Sequence, residues 1–357
     1  MTQNDNSFKD QYKHYVLRKI LFIAIFFSLL IICSGISLTL GGRDIGFFQS
    51  FSILWDHLLG KTYVLGSDAW WDDFVLWTVR LPRIVTAIVV GAALSVCGVV
   101  IQSIVKNPLA DPYTTGISSG AVFGVSVAMA LGFTVIQGDG GNTGTFLNAF
   151  IFGIIPALVI IAITRFRNST SATVILAGIA MSYLFSALST LIMITSSAET
   201  LQNIYLWQVG SLENIKWSSL PFLTTITVVG TVACILLSNK LNVLSAGENT
   251  AKSLGLDTDS LKTICLLITA FMTAAVVSLV GIIGFLGLIA PNMVRLALGS
   301  DNRYTIPASM LVGASFLVLA DTISRLIVTA NVPVGVVMSF IGGPIFLCII
   351  LLSRRGH

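Results

Sequence analysis

Ten long apolar runs, separated by polar segments, organise this chain. They fall at about 20–40, 84–105, 114–135, 146–164, 172–195, 219–238, 263–281, 285–298, 305–328 and 333–352. Most approach the roughly 20 apolar residues that carry a helix across a bilayer. The eighth is short and contains Pro291. No segment alternates apolar and polar positions as a membrane barrel requires. The pattern predicts an all-α, polytopic membrane protein of about ten transmembrane helices, because a helix satisfies its own backbone in lipid. Small residues recur every fourth position inside two runs, at Gly116, Gly120 and Gly124 and at Gly91 and Ser95. Such faces allow helix backbones to approach closely, whether for internal packing, a dimer interface or a translocation path.

Composition supports the membrane reading. Hydrophobic residues make up 55% of the 357 positions and charged residues 10%, against about 25% charged in a soluble domain. The net charge of +4 comes from scattered basic residues, with no basic stripe of the kind that binds nucleic acid. The polar segments also orient the chain. With ten crossings and the N-terminus inside, fourteen of the twenty Lys and Arg residues lie on inner segments. Arg43, Lys61, Arg80, Arg83, Lys216 and Arg325 lie on outer ones. The positive-inside rule then places both termini in the cytoplasm. Residues 1–19 read as a cytoplasmic segment before an uncleaved first span, since that span exceeds a signal peptide's apolar region and no A-x-A site follows. The whole of 1–357 reads as one transmembrane domain, with a long inner loop at about 239–262. The outer segment 41–83 is rich in rings that suit the headgroup level.

The chemistry missing from the spans narrows the function. His14, His57 and His357 all lie outside them, and the nearest carboxylate, Asp321, sits close to an outer end. Proton-coupled carriers use ionisable groups within the membrane, and catalysis there needs His, Cys or carboxylate clusters. An intramembrane enzyme and a proton-coupled carrier both lose ground. A sodium-coupled carrier, which can use backbone carbonyls, loses less. The five cysteines, Cys33, Cys97, Cys234, Cys265 and Cys348, are scattered through apolar runs and read as buried thiols. Gly60-Lys61-Thr62 ends like a phosphate loop, but the required first glycine would be Trp55. If ATP drives this protein, another chain binds it.

Four segments carry more information. Arg80-Leu81-Pro82-Arg83 places two arginines at i and i+3 on an outer helix start, where Pro82 suits the first turn. Asn107-Pro108-Leu109-Ala110-Asp111-Pro112 marks a rigid inner turn. The loop around Gly247-Glu248 and Leu254-Gly255 reads as a short amphipathic helix able to seat in a partner's groove. From Gly281 to Arg295, three glycines and Pro291 interrupt a helix, as is tolerated where backbone lines a cavity. Asp321 and Arg325 can pair at i and i+4.

In this order and spacing, "RLPR" at 80–83, "NPLADP" at 107–112, "GENTAKSLGL" at 247–256, "GIIGFLGLIAPNMVR" at 281–295, "LADTISR" at 319–325 and "VPVGVVMSFIGGPIF" at 332–346 resemble one family. It is that of the permease subunits of ATP-binding cassette importers for iron–siderophore, haem and cobalamin (FecCD-type). Asn292 stands where the family usually has histidine. The resemblance implies a non-enzymatic subunit in a bacterial cell membrane that binds no cofactor itself. Its implied partners are a second permease subunit, identical or related, two cytoplasmic ATPase subunits that bind ATP, and an extracytoplasmic binding protein. It further implies that Arg80, Arg83 and Arg325 face outward to dock that protein, and that Gly247, Glu248, Leu254 and Gly255 seat on the ATPase. Gly284, Gly287, Pro291 and Asn292 become candidates for a path or gate helix. An iron–siderophore complex is the expected cargo, with haem or cobalamin as the alternative and an ion-coupled carrier as a remote one.

Overall fold

The computed structural model describes residues 3–136, 142–166, 171–213, 215–327 and 332–353. Arg167, Arg354, Arg355 and His357, all used in the sequence reading, lie outside them. The described residues are almost entirely helical. In chain order the α-helices are α1 (Gln3–Thr39), α2 (Phe47–Leu58), α3 (Asp68–Phe74), α4 (Leu81–Val105), α5 (Ile117–Leu131), α6 (Asn142–Phe166), α7 (Ser171–Ile194), α8 (Ala198–Gln208), α9 (Leu220–Ser245), α10 (Glu248–Ser253), α11 (Thr258–Val280), α12 (Leu286–Leu298), α13 (Asn302–Leu326) and α14 (Val334–Ser353). Among the described residues eight helical segments are long and apolar enough to cross a membrane. The shorter apolar α5 and α12 complete the set of ten, and each coincides with one of the ten apolar runs.

The helices overrun the runs at several ends. α1 begins at Gln3, so residues 3–19 are helical and continuous with the first span, whose apolar stretch starts at Lys13. The second span starts early: α3, a π-helical stretch at Val75–Arg80 and α4 form one continuous helical segment. The inner loop is also shorter than 239–262, because α9 runs to Ser245 and α11 begins at Thr258.

α4 is the central helix, and its contact with the antiparallel α13 is the most extensive in the fold. The main apolar core, with residues from α4, α9, α11 and α13, forms around it. Close approach depends on the small-residue face seen in the sequence. A Cβ added at Gly91 would lie 2.5 Å from the Gly313 carbonyl oxygen and 2.7 Å from Ala314 Cα. The other face, Gly120 and Gly124, packs on α6 around Phe152, Pro156 and Asn148. Both faces therefore serve internal packing within this chain.

α1 and α7 are little buried. α1 is fixed at two points. Near its middle the Lys19 ammonium is fully buried over the rings of Tyr15 (4.0 Å) and Tyr304 (4.4 Å), 3.8 Å from Asp301. Asp301 also caps α13 by accepting from the Arg303 amide and accepts from Asn242 Nδ2 at 2.8 Å. Arg303 above all, opposed by partial burial, pulls the Asp301 carboxyl down to about 2. The second attachment of α1 is at its far end, beside α2.

Candidate functional site

The three arginines of the sequence reading converge at the α2 end of the bundle. Arg80 closes the π-helical stretch, Arg83 lies in the first turn of α4, and Arg325 lies in the last turn of α13. Asp321 joins two of them. Arg83 Nε donates to its Oδ1 at 2.6 Å, and Arg325 Nε lies 3.2 Å from its Oδ2. The expected i, i+4 pair is thus present, with Arg83 as a third member.

Arg80 is only 3% exposed. Its Nη1 donates to the carbonyls of Leu38 (2.6 Å) and Thr39 (2.9 Å), and its Nη2 to that of Arg43. Arg325 Nη1 donates to Leu40 O at 3.3 Å and Nη2 to Ser37 Oγ. The acceptors are mostly the last carbonyls of α1 and the turn after it, which have no partner within the helix. Two guanidinium groups supply those partners and face the negative end of the helix dipole. Gly41 allows this approach, since a Cβ there would lie 3.1 Å from Arg80 Nη2. Arg43, not singled out in the sequence, is held by Asp72 and Asp68. Its one sequence signal is the acidic residues that follow it at 68, 72 and 73. Together Arg43, Arg80, Arg83, Arg325, Glu213 and Ser324 line a cleft of ≈ 320 Å³.

The α10 end is arranged differently. Gly247 enters α10 at φ +131° and Gly255 leaves it at φ +81°, a backbone region that suits glycine. Glu248 accepts from Lys262 Nζ at 2.8 Å and lies 3.5 Å from Lys252 Nζ. Burial pushes the Glu248 carboxyl up, but its bonds and charge pairing with the two lysines outweigh that and hold it below its ordinary value. Ala251 is fully buried, which seats the helix, whereas Leu254 just beyond it is 70% exposed.

Between α11 and α12 the chain unwinds over residues 281–285. The break is stitched from both sides. Tyr113 Oη donates to Ile283 O at 3.1 Å, and the Ser211 amide donates to Val280 O at 2.8 Å. Phe285 sits at φ +68°, unusual for a bulky side chain. A Cβ at Gly342 on α14 would lie 2.7 Å from Phe285 Cβ, so glycine there makes room for it. Of the two candidate path glycines, Gly284 faces open space. Gly287 packs on Pro112, and Pro291 is buried. Asn292 Nδ2 donates to Pro108 O (2.9 Å) and Leu288 O (2.8 Å), tying α12 to the 107–112 turn. Within that turn burial pushes the Asp111 carboxyl up to about 6, against the amides of Thr114 and Tyr113.

The profile of the FecCD transport family matches residues 29–352. A cobalamin import system permease of Halobacterium salinarum is 38% identical, over 76% of this chain and 72% of that one. A hemin transport system permease of Yersinia pestis is 34% identical, over 89% and 93%. A solved structure described as an inward-facing metal-chelate-type ABC transporter superposes with a TM-score of 0.79 at 30% identity, covering 92% of this chain and 98% of that one.

Proposed function

The chain belongs to the FecCD transport family, and from that premise we propose that it carries an iron–siderophore complex across the cell membrane. It is the permease subunit of an ABC importer, a multi-pass membrane protein and a non-catalytic transport component. Members of the family work with ATPase and substrate-binding proteins. The observation that carries the cargo reading is the similarity to an iron(3+)-hydroxamate import permease of Bacillus subtilis, 33% identical over 94% of this chain and 84% of that one. The test is uptake of labelled ferric siderophore, haem and cobalamin by a strain lacking this chain, compared with its parent. Loss of ferric siderophore uptake alone is expected. Loss of haem or cobalamin uptake instead would overturn the cargo and leave the permease.

In this reading the cleft at the α2 end faces outward and receives the binding protein on Arg80, Arg83 and Arg325, while the α10 end meets two ATPase subunits in the cytoplasm. α7 would flank a path beside a second permease subunit, because it is little buried and Ser186 and Thr190 lie on its exposed side. ATP-driven movement of α10 would alternate access to that path. α10 suits the coupling role because Leu254 offers an apolar contact that costs nothing to change in the isolated chain. Leu254→Glu is expected to leave thermal stability within about 0.5 kcal/mol, as for other exposed positions. It should cut both uptake and the ATPase stimulation measured in the reconstituted complex. Full coupling in that variant would remove the role assigned to Leu254.

A further inference from the structure

The side chains of α2 divide into three faces. Successive residues advance by about 100° around a helix, which sorts the segment into three separate arcs. One arc holds Ser50, Ile53, Leu54 and His57 and is turned to the protein. Ser50 and Ile53 are buried, Leu54 packs on the small cluster of Leu38, Leu76 and Ile84, and His57 pairs with Asp73 at 2.8 Å. The next arc holds Gln49, Ser52 and Asp56, all polar. The third holds Phe47, Phe48, Phe51, Trp55 and Leu58, with Leu59 at the C-cap, and all of these are exposed. Phe48 is 86% exposed and Trp55 65%. A contiguous apolar patch of that kind marks a surface that meets something other than water. Two contacts give it a direction. A Cβ added at Gly35 of α1 would lie 3.6 Å from the Phe51 ring and 3.9 Å from that of Phe47. Gly35 lies one turn before the end of α1 at Thr39, about 5–6 Å along its axis. Its neighbours Ile31, Ile32 and Ile36 are exposed on that little-buried span. The apolar arc is therefore turned along α1 toward the bilayer, not away from it.

We infer that α2 is an interfacial anchor whose apolar arc sits among the phospholipids of the leaflet at the α2 end, with Gln49, Ser52 and Asp56 toward water. The inference is independent of the cargo. An amphipathic helix of this kind buries its apolar face about 5–10 Å into the boundary between headgroups and acyl chains. Phe47 and Phe51 reach to that depth beside α1. The occupant is lipid because the arc continues the exposed apolar flank of a membrane span, and because Trp55 is a ring that collects at this boundary. The anchor is braced from its other faces. Gln49 Nε2 donates to Asp72 Oδ2 at 3.0 Å, His57 holds Asp73, and the helical segment of those two aspartates runs on into α4. A lipid seat for α2 therefore fixes the height of the arginine-lined cleft above the bilayer.

The experiment places nitroxide labels on the full-length permease in nanodiscs of phosphatidylethanolamine and phosphatidylglycerol. It compares label collisions with oxygen, which concentrates among acyl chains, and with a water-soluble nickel chelate. Cys348 is the one exposed cysteine among the described residues, and Cys348→Ser removes it; the other four are buried. Labels enter singly at Phe48→Cys, Trp55→Cys and Ser52→Cys, with Ile32→Cys on α1 as the reference for lipid. All four replace exposed residues, so the fold is retained. The labels at 48 and 55 should favour oxygen over the chelate several-fold, as the label at 32 does, and the label at 52 should show the reverse. Chelate access at 48 and 55 equal to that at 52 would place the arc in water and overturn the anchor. Shielding of 48 and 55 from both reagents would mean that a second copy of the permease covers the arc, and would overturn the lipid assignment as well.

Discussion

Replacing Arg80 with alanine should cost this protein about 3–5 kcal/mol of stability, on the scale of breaking a buried charged contact. The physical reason lies in what the guanidinium leaves behind. Leu38, Thr39 and Arg43 each present a carbonyl to it, and no other donor to these is present among the described residues. A dry carbonyl costs about 1–3 kcal/mol, and the C-terminal end of α1 would be left to Arg325 and Thr322. Arg80→Glu should be worse, because a carboxylate would face the same carbonyls. The check is the melting temperature of the detergent-purified variant, with Leu254→Glu as a control that also adds a carboxylate. A wild-type melting temperature in Arg80→Ala would show that the carbonyls find water and that the clasp contributes little.

The second large effect is expected at the α4–α13 contact. A Cβ at Gly313 would overlap Ser95 Oγ, lie 2.6 Å from Gly91 O and sit 2.8 Å from Ser95 Cβ. Gly313→Leu therefore cannot be absorbed by a flexible tip, since part of what it meets is backbone. Overpacking commonly costs about 1–3 kcal/mol and occasionally more. Here the two central helices must separate, which also strains the Arg83–Asp321 bond that joins them. We expect loss of folded protein, measured as the monodisperse fraction on size exclusion. Gly284→Ala is the matched control: nothing lies within 4 Å of its Cβ position, so it should behave as wild type. Recovery of Gly313→Leu at wild-type yield would mean that the interface repacks freely.

The spans were legible in the sequence because lipid asks one simple thing of them, a long apolar run. Their ends were harder to read where charge masked the helix. Residues 68–83 carry Asp68, Asp72, Asp73, Arg80 and Arg83, which looks like a loop. The fold pairs most of these groups with Arg43, Asp321 and the α1 carbonyls, and so the helix can continue through them. α8 was missed although Ser197 caps it by accepting from the Thr200 amide, with Glu199 in its first turn. It is short and largely polar, so no apolar run announced it.

At the candidate site, the i, i+4 spacing of Asp321 and Arg325 gave their pairing directly. The bond from Arg83 to Asp321 spans 238 positions, and no local pattern encodes a contact of that kind. The turn of Arg80 and Arg325 onto α1 is likewise invisible, because main-chain carbonyls leave no mark in a sequence. Asn292 shows the reverse case. It departs from the family's usual residue, yet its one amide nitrogen bridges Pro108 and Leu288, a structural task.

The two attachments of α1 also set an order of events during synthesis. α1 is made long before α13, so its buried lysine waits for Asp301 and Tyr304 and the Leu40 carbonyl waits for Arg325, whereas Arg80 reaches Leu38 and Thr39 early. Asp301, Tyr304 and Arg325 belong to the last quarter of the chain. The first span is therefore held at its Arg80 end early, and its Lys19 attachment forms only after most of the chain has been made. A nascent chain halted before residue 301 has the Lys19 attachment of α1 still open and only its Arg80 end held.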